Sequence, residues 1–189
     1  MAAIGGCLVI LLVVAVFAAM WAIWRYNNLV SLRNQVANGW RQIDVQLKRR
    51  HDLIPNLVSA VKGEMQFEQD TLEKVIQARN SAVSARGVAD AADKESALSQ
   101  TLGRLFALAE NYPNLKADAQ FARLMDELSG TENRLAQERM RYNDRVKEYE
   151  TMRRQFPSNV TAKMFGFKEY PYFEAPPAAQ AAPKVDFKK

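Results

Sequence analysis

The chain has 189 residues, with 26 Lys and Arg against 21 Asp and Glu, one histidine and one cysteine. The single cysteine, Cys7, and single histidine, His51, exclude an intrachain disulfide and a Cys/His zinc site. A formal charge of +5 favours anionic partners, and the apolar start of the chain makes membrane lipid, not nucleic acid, the expected one.

Ile4 to Trp24, IGGCLVILLVVAVFAAMWAIW, contains no charge and no proline across 21 positions. A helix of that length is about 31 Å long, the hydrocarbon thickness of a bilayer. Eleven of its residues are Leu, Ile, Val or Phe. At about 0.3–0.6 kcal/mol each, they favour insertion by roughly 3–6 kcal/mol. Trp21, Trp24 and Tyr26 cluster at one end, where such rings prefer the headgroup layer. No Lys or Arg precedes the run and it exceeds the usual signal-peptide core, so we read a retained transmembrane anchor. Arg25, Arg33 and Arg41 follow it, which predicts an outside N-terminus, a cytoplasmic remainder and, in a bacterium, the inner membrane. Gly5-Gly6 and the small residues between Ala15 and Ala22 offer a face for a homo-oligomer.

Beyond Tyr26, Leu29, Leu32, Val36, Trp40, Ile43 and Leu47 recur at helical spacing, with no Gly or Pro before Gly39. Asp52-Leu53-Ile54-Pro55 reads as a turn, with Asp52 as cap and Pro55 in the first turn of a second helix. That helix runs through Leu57, Val58, Val61, Met65, Leu72, Val75 and Ile76. The stripe nevertheless stays in phase across Pro55 (Leu47, His51, Ile54, Val58), which also fits one long kinked helix. A turn is expected near Gly87, then a shorter third helix on Leu98, Leu102, Leu105 and Ala109, ended by Asn111-Tyr112-Pro113-Asn114.

The final helix, expected from Lys116 to Gln155, places Phe121, Leu128, Leu135, Tyr142, Tyr149 and Phe156 at every seventh position. Its companion column is mixed, with Leu124 and Met152 at the ends and Thr131, Glu138 and Arg145 between. We read that middle as partly wet; the alternative is a buried polar layer including Glu132, Glu138 and Arg139. Phe156-Pro157 stops the helix. Phe165, Phe167, Tyr170, Tyr172 and Phe173 follow, interleaved with lysines, and are candidate membrane-interface residues, or else cover the open end of the bundle. In residues 175–189, eight of fifteen are Ala or Pro, which predicts a disordered tail.

Several blocks of this chain resemble the LemA family of bacterial membrane proteins. They are Tyr26-Asn27-Asn28-Leu29-Val30, Ile43 to Arg50, Asp52 to Val58, Val61-Lys62-Gly63, Glu110-Asn111-Tyr112-Pro113, Thr131 to Arg134, Arg141-Tyr142-Asn143, Phe156-Pro157 and Phe165-Gly166-Phe167. The resemblance implies an all-α protein: an N-terminal transmembrane helix, then an antiparallel up-and-down four-helix bundle with one long final helix. It favours the turn at Pro55 and a cytoplasmic bundle. It implies no chemistry. Members are often encoded beside membrane-associated peptidases, which suggests such a peptidase as partner and a place in envelope quality control. The tail lies outside the matched blocks. The expected divisions are 4–24 anchor, 25–157 bundle, 158–174 aromatic segment and 175–189 tail.

No catalytic constellation is legible, and no metal or cofactor is expected. A di-iron bundle needs Glu-x-x-His pairs, and Lys48 stands three residues before His51. Glu64 and Glu68 share a face but read as solvated. His51 reads as a polar turn residue. Lys48-Arg49-Arg50 would lie about 36 Å beyond Trp24 on a straight helix, several screening lengths of about 8 Å from the bilayer. These three residues are therefore either a solvated helix end or a contact for another protein. The expectation is a non-enzymatic single-pass protein that binds another membrane protein as scaffold or adaptor, the alternative being a self-assembling protein that engages and shapes lipid.

Overall fold

The computed structural model describes residues 2–63 and 69–174, leaving aside the side chains of 2–5, 7 and 8. Among the described residues the chain is all helical, with no strand. The helices are α1 (Ala2–Lys62), α2 (Gln69–Val83), α3 (Gly87–Ala109), α4 (Pro113–Ala117), α5 (Ala119–Arg154) and α6 (Ser158–Met164). They distribute into two compact units among the described residues: residues up to 39 with 142–170, and residues 40–141 with 171–174. The described residues establish an all-helical chain and do not establish the expected four-helix arrangement; both units draw on α1 and α5.

Helix α1 passes straight through Pro55, so the turn expected at Asp52–Pro55, and favoured by the family resemblance, is absent. Proline has no amide hydrogen, which leaves the carbonyl four residues earlier without its helical donor. That carbonyl belongs to His51, and the Arg79 Nε–H donates to it at 2.7 Å. A side chain from α2 replaces the missing backbone bond and lets the helix continue. The chain breaks later, after Lys62, where Gly63 forms a turn. The expected second helix is therefore two pieces: Leu57, Val58 and Val61 belong to α1, and Leu72, Val75 and Ile76 to α2. Glu64, Met65 and Glu68 lie outside the described residues.

The turn expected near Gly87 is present. Ala85 N–H donates to Ala82 O, Arg86 N–H donates to the Asp90 carboxylate, and Gly87 takes a φ of +81°, which suits a residue without Cβ. From there α3 extends over 23 residues, longer than expected, because the alanine-rich stretch is helical and buries Ala91 and Ala92. Pro113 occupies the first turn of α4, and Asp118 caps α5 by accepting from Phe121 N–H at 2.7 Å. The long helix accordingly starts at Ala119, after α4, and not at Lys116.

The second unit holds the larger core. Ile54, Leu57 and Val61 of α1 cluster with Leu72 and Val75 of α2, Leu98, Leu102 and Leu105 of α3, Leu115 of α4, and Phe121, Leu124 and Leu128 of α5. In the first unit Leu29 and Val36 are buried with Tyr142, Val146 and Tyr149. Gly39 is buried there too; a methyl in its place would sit 3.3 Å from Arg145 Cδ and 3.5 Å from Tyr142 Cα. The absent side chain lets α1 and α5 approach closely at this point.

Along α5 the seventh-residue column is buried from Phe121 to Tyr149, whereas Phe156 is exposed beyond the helix end. The companion column shifts, from Leu124 and Thr131 to Val146. A helix of 3.6 residues per turn drifts about 20° per heptad, so the buried partner moves from the third to the fourth position. Glu138 and Arg145 fall at the changeover and are only half-buried.

Candidate functional site

Two side-chain groups stand out, one in each unit. The first surrounds the end of the apolar run. From Val9 to Trp24 the large side chains of α1 are half-buried or exposed, and no other described residue covers Leu11, Leu12, Phe17 or Ile23. This is one helix long and apolar enough to cross a membrane. The Arg25 guanidinium lies 5.2 Å from the Trp21 ring and 4.9 Å from the Trp24 ring, a cation–π arrangement, and its Nη1–H donates to Met152 Sδ at 3.4 Å. Tyr26 meets the rings of Phe165 at 4.8 Å and Phe167 at 5.7 Å, and Arg33 stacks on Phe167.

The contacts of Tyr26 and Arg33 with Phe165 and Phe167 depend on α6, a helix absent from the expectations above. Its signature was Pro157 before the helix and Gly166 after it, the proline-first, glycine-last asymmetry of helices. Gly166, at φ +68°, donates to Lys163 O, while Phe167 N–H reaches back to Ala162 O at 2.9 Å. That pair of bonds is a Schellman cap, and it turns Phe167 inward while Phe165 stays exposed. Beyond it, Tyr149 O–H donates to Lys168 O at 2.7 Å and its ring meets Tyr170 edge-on. The buried Glu150 accepts from Arg153, Arg154 and Tyr170 N–H. Burial pushes the Tyr142 and Tyr149 phenols up to about 12, with Tyr170 contributing at Tyr142 and Glu150 at Tyr149.

Of the eight expected interface aromatics, Trp21, Trp24, Tyr26, Phe165, Phe167 and Tyr170 come together in one unit. Tyr172 and Phe173 belong to the other. Phe173 is buried there, against Trp40 at 6.3 Å and under the Arg139 guanidinium at 4.7 Å, while Tyr172 is exposed. Phe167 and Phe173 therefore spend their apolar surface on their own units, which corrects the expectation that they face lipid.

The second group is a polar cluster in the core of the other unit. Arg50 is 3% exposed and Glu95 is fully buried. Arg50 Nη1 lies 3.0 Å from both Glu95 Oε2 and Glu132 Oε2, and its Nη2–H donates to Ser99 Oγ at 2.8 Å. His51 Nε2 is bonded to Glu95 Oε1 at 2.5 Å. Arg139 reaches Glu132 at 3.7 Å, and burial holds its guanidinium below the usual arginine range against the pull of Glu132. Two carboxylates thus face two guanidiniums and a histidine, as a buried ionic group requires.

The middle of α5 is partly wet and also carries a polar layer, with the Glu132 side chain 40% exposed. Glu132 and Arg139 join a polar layer; Glu138 instead pairs with Arg141 at the surface, at 2.7 Å. His51 is a buried helix residue, not a turn residue, and Arg50 is turned into the core, unlike exposed Lys48 and Arg49. Arg49 lies 3.8 Å from Glu127. The signal was there: Arg50 stands seven residues from Ile43 and from Leu57, and Glu95 lies three residues from both Ala92 and Leu98. Both positions belong to buried stripes. Among the described residues no group of His, Cys, Asp and Glu is placed to hold a metal ion.

The family model described as the LemA family matches residues 39–187. The chain belongs to the LemA family. The match begins beyond the Tyr26–Val30 block and runs into the Ala/Pro-rich tail. Magnetosome protein MamQ 2 of Paramagnetospirillum magneticum is 26% identical, over 89% of this chain and 71% of its own length. Magnetosome protein MamQ of Magnetospirillum gryphiswaldense is 24% identical over 82% and 66%. Protein LemA of Metamycoplasma hominis is 26% identical over 80% and 69%. In the terms of this LemA-family chain, the matched region includes the whole polar cluster and begins beyond the apolar run.

Proposed function

We propose that this LemA-family chain is a single-pass membrane protein that acts by binding, its helical units holding another membrane protein as a scaffold or adaptor. One observation carries the reading: every residue from 9 to 20 is exposed, an uncharged apolar stretch of α1 that the rest of the described chain leaves uncovered. Left in water, such a surface costs about 25 cal/mol per Å²; a bilayer removes that cost. In the polar cluster Arg50 and Glu95 are paired with each other and with Ser99 and His51, which suits a structural role in keeping the binding surfaces in shape. Arg25, Arg33 and Arg41 support a cytoplasmic placement of the remainder in the inner membrane. A membrane-associated peptidase of the envelope is the partner class we favour.

Alkaline extraction of membranes, followed by in-cell crosslinking and detergent solubilisation, tests it. The expected result is a carbonate-resistant protein crosslinked to a discrete membrane partner. Recovery in the carbonate-soluble fraction refutes the anchor. Assemblies that form and reshape liposomes from protein and lipid alone would favour the self-assembling, lipid-shaping alternative.

A further inference from the structure

The first unit carries a second exposed apolar surface. Helix α6 turns Ser158, Thr161 and Ala162 inward. Val160 and Met164 on α6, Phe156 before it and Phe165 at its end are each more than half exposed. Exposed Lys163 and Lys168 flank them. Four large apolar side chains grouped this way on a polar protein mark a contact surface.

The placement of α6 says what covers it. Ser158 Oγ lies 3.8 Å from Met152 Sδ, which in turn accepts from Arg25 at 3.4 Å. The Phe165 ring packs on Tyr26 at 4.8 Å. Helix α6 is thus pinned beside Arg25 and Tyr26, the first two residues after the apolar run ends at Trp24. On α1 those residues lie about 1.5–3 Å past Trp24 along the axis. The layer between hydrocarbon and water is about 5–7 Å deep on each side of a bilayer.

We propose that Phe156, Val160, Met164 and Phe165 form an interfacial surface lying in the headgroup layer of the same bilayer that α1 crosses. Its occupant is lipid: the surface is held next to Arg25 and Tyr26, directly after the uncovered apolar run, and the flanking Lys163 and Lys168 suit headgroup phosphates. Short helices with an apolar outer face and flanking lysines rest in this plane. The surface gives the chain a second attachment, which ties the end of α5 to the membrane beside the anchor. The inference rests on the membrane-anchored reading.

The test uses the full chain with Cys7→Ala, in vesicles of phosphatidylcholine and phosphatidylglycerol. Single spin labels are placed through Val13→Cys, Val160→Cys, Met164→Cys and, as an exposed polar control, Arg134→Cys. Collision rates with oxygen, which partitions into lipid, and with a neutral nickel chelate, which stays in water, are compared. The expected result is a severalfold higher oxygen-to-nickel ratio at Val160 and Met164 than at Arg134, with Val13 higher still. Ratios at Val160 and Met164 equal to the control, with Val13 still immersed, overturn the surface and leave the anchor standing. A Val13 label exposed to nickel overturns the anchor with it. Labels at Val160 and Met164 shielded from both reagents reveal a protein cover, and also overturn the proposal.

Discussion

If Arg79 replaces the hydrogen bond that Pro55 cannot make, the two residues must be energetically coupled. The Arg79 Nε–H reaches His51 O at 2.7 Å, a bond from a charged donor to a carbonyl inside a helix. Such bonds are worth about 1.5–3 kcal/mol. Arg79 is half-buried, so water recovers part of the loss and Arg79→Ala should cost about 1.5 kcal/mol. Pro55→Ala restores a backbone donor to the same carbonyl and removes a helix-interior proline, and should stabilise by about 1–2 kcal/mol. In the Pro55→Ala background the carbonyl keeps a partner, so Arg79→Ala should then cost no more than about 0.5 kcal/mol. The coupling is about 1 kcal/mol, well above the scatter of independent sites. Urea unfolding of the full chain in detergent micelles, followed by circular dichroism at the helix band, measures all four corners of the cycle. Equal costs for Arg79→Ala in both backgrounds would refute the substitution of one bond for the other.

Further outcomes rest on the ion pairs, on Gly39 and on the buried tyrosines. Glu95→Ala leaves Arg50 and His51 short of their shared buried partner; since Glu132 and Ser99 remain, the loss should be about 2–4 kcal/mol by the same unfolding assay. Arg49→Ala, at an exposed pair, should cost less than about 0.5 kcal/mol, and Arg50→Met with Glu95→Leu should recover most of the stability lost in Glu95→Ala. Gly39→Val should cost roughly 1–3 kcal/mol through overpacking against Tyr142 and Arg145, visible as a lowered melting temperature, whereas Gly103→Val, with open space around it, should leave it unchanged or raise it slightly. Stability should also fall at alkaline pH. The tyrosine phenols ionise near pH 10 in the unfolded chain and near 12 when Tyr142 and Tyr149 are folded; the unfolded state therefore binds fewer protons, and the stabilisation is intact below pH 10 and lost as pH rises toward 12. Each tyrosine should contribute on the order of 1–2 kcal/mol of that decline, and the double Tyr142→Phe, Tyr149→Phe variant should flatten it in pH-stepped melts.

At the polar cluster, helical periodicity locates the buried positions but not the charges that face them. Arg50 and Glu95 occupy positions that periodicity assigns to the core, and an expectation based on charge placed Arg50 outside. Periodicity was the better guide, because a buried charge is tolerable once an opposite charge is brought beside it. That partner lies 45 residues away in sequence, and no local window reveals it. The same holds at Pro55: the local chemistry predicts a helix end, and a guanidinium 28 residues from His51 cancels it.

What the sequence by itself determined are the features that depend only on neighbours along the chain. These are the uncharged run from Ile4 to Trp24, the glycine turn at Gly87, the end of α3 before Pro113 and the heptad column of α5. Each follows from backbone geometry or from transfer of apolar surface, and neither needs a distant partner. Tertiary structure alone decided that α1 runs through Pro55, that Arg50 and His51 turn inward toward Glu95, and that Phe167 and Phe173 are buried while Phe165 is not. Those outcomes rest on donors, charges and rings supplied from other helices, and a side chain's surroundings are a property of the packed fold.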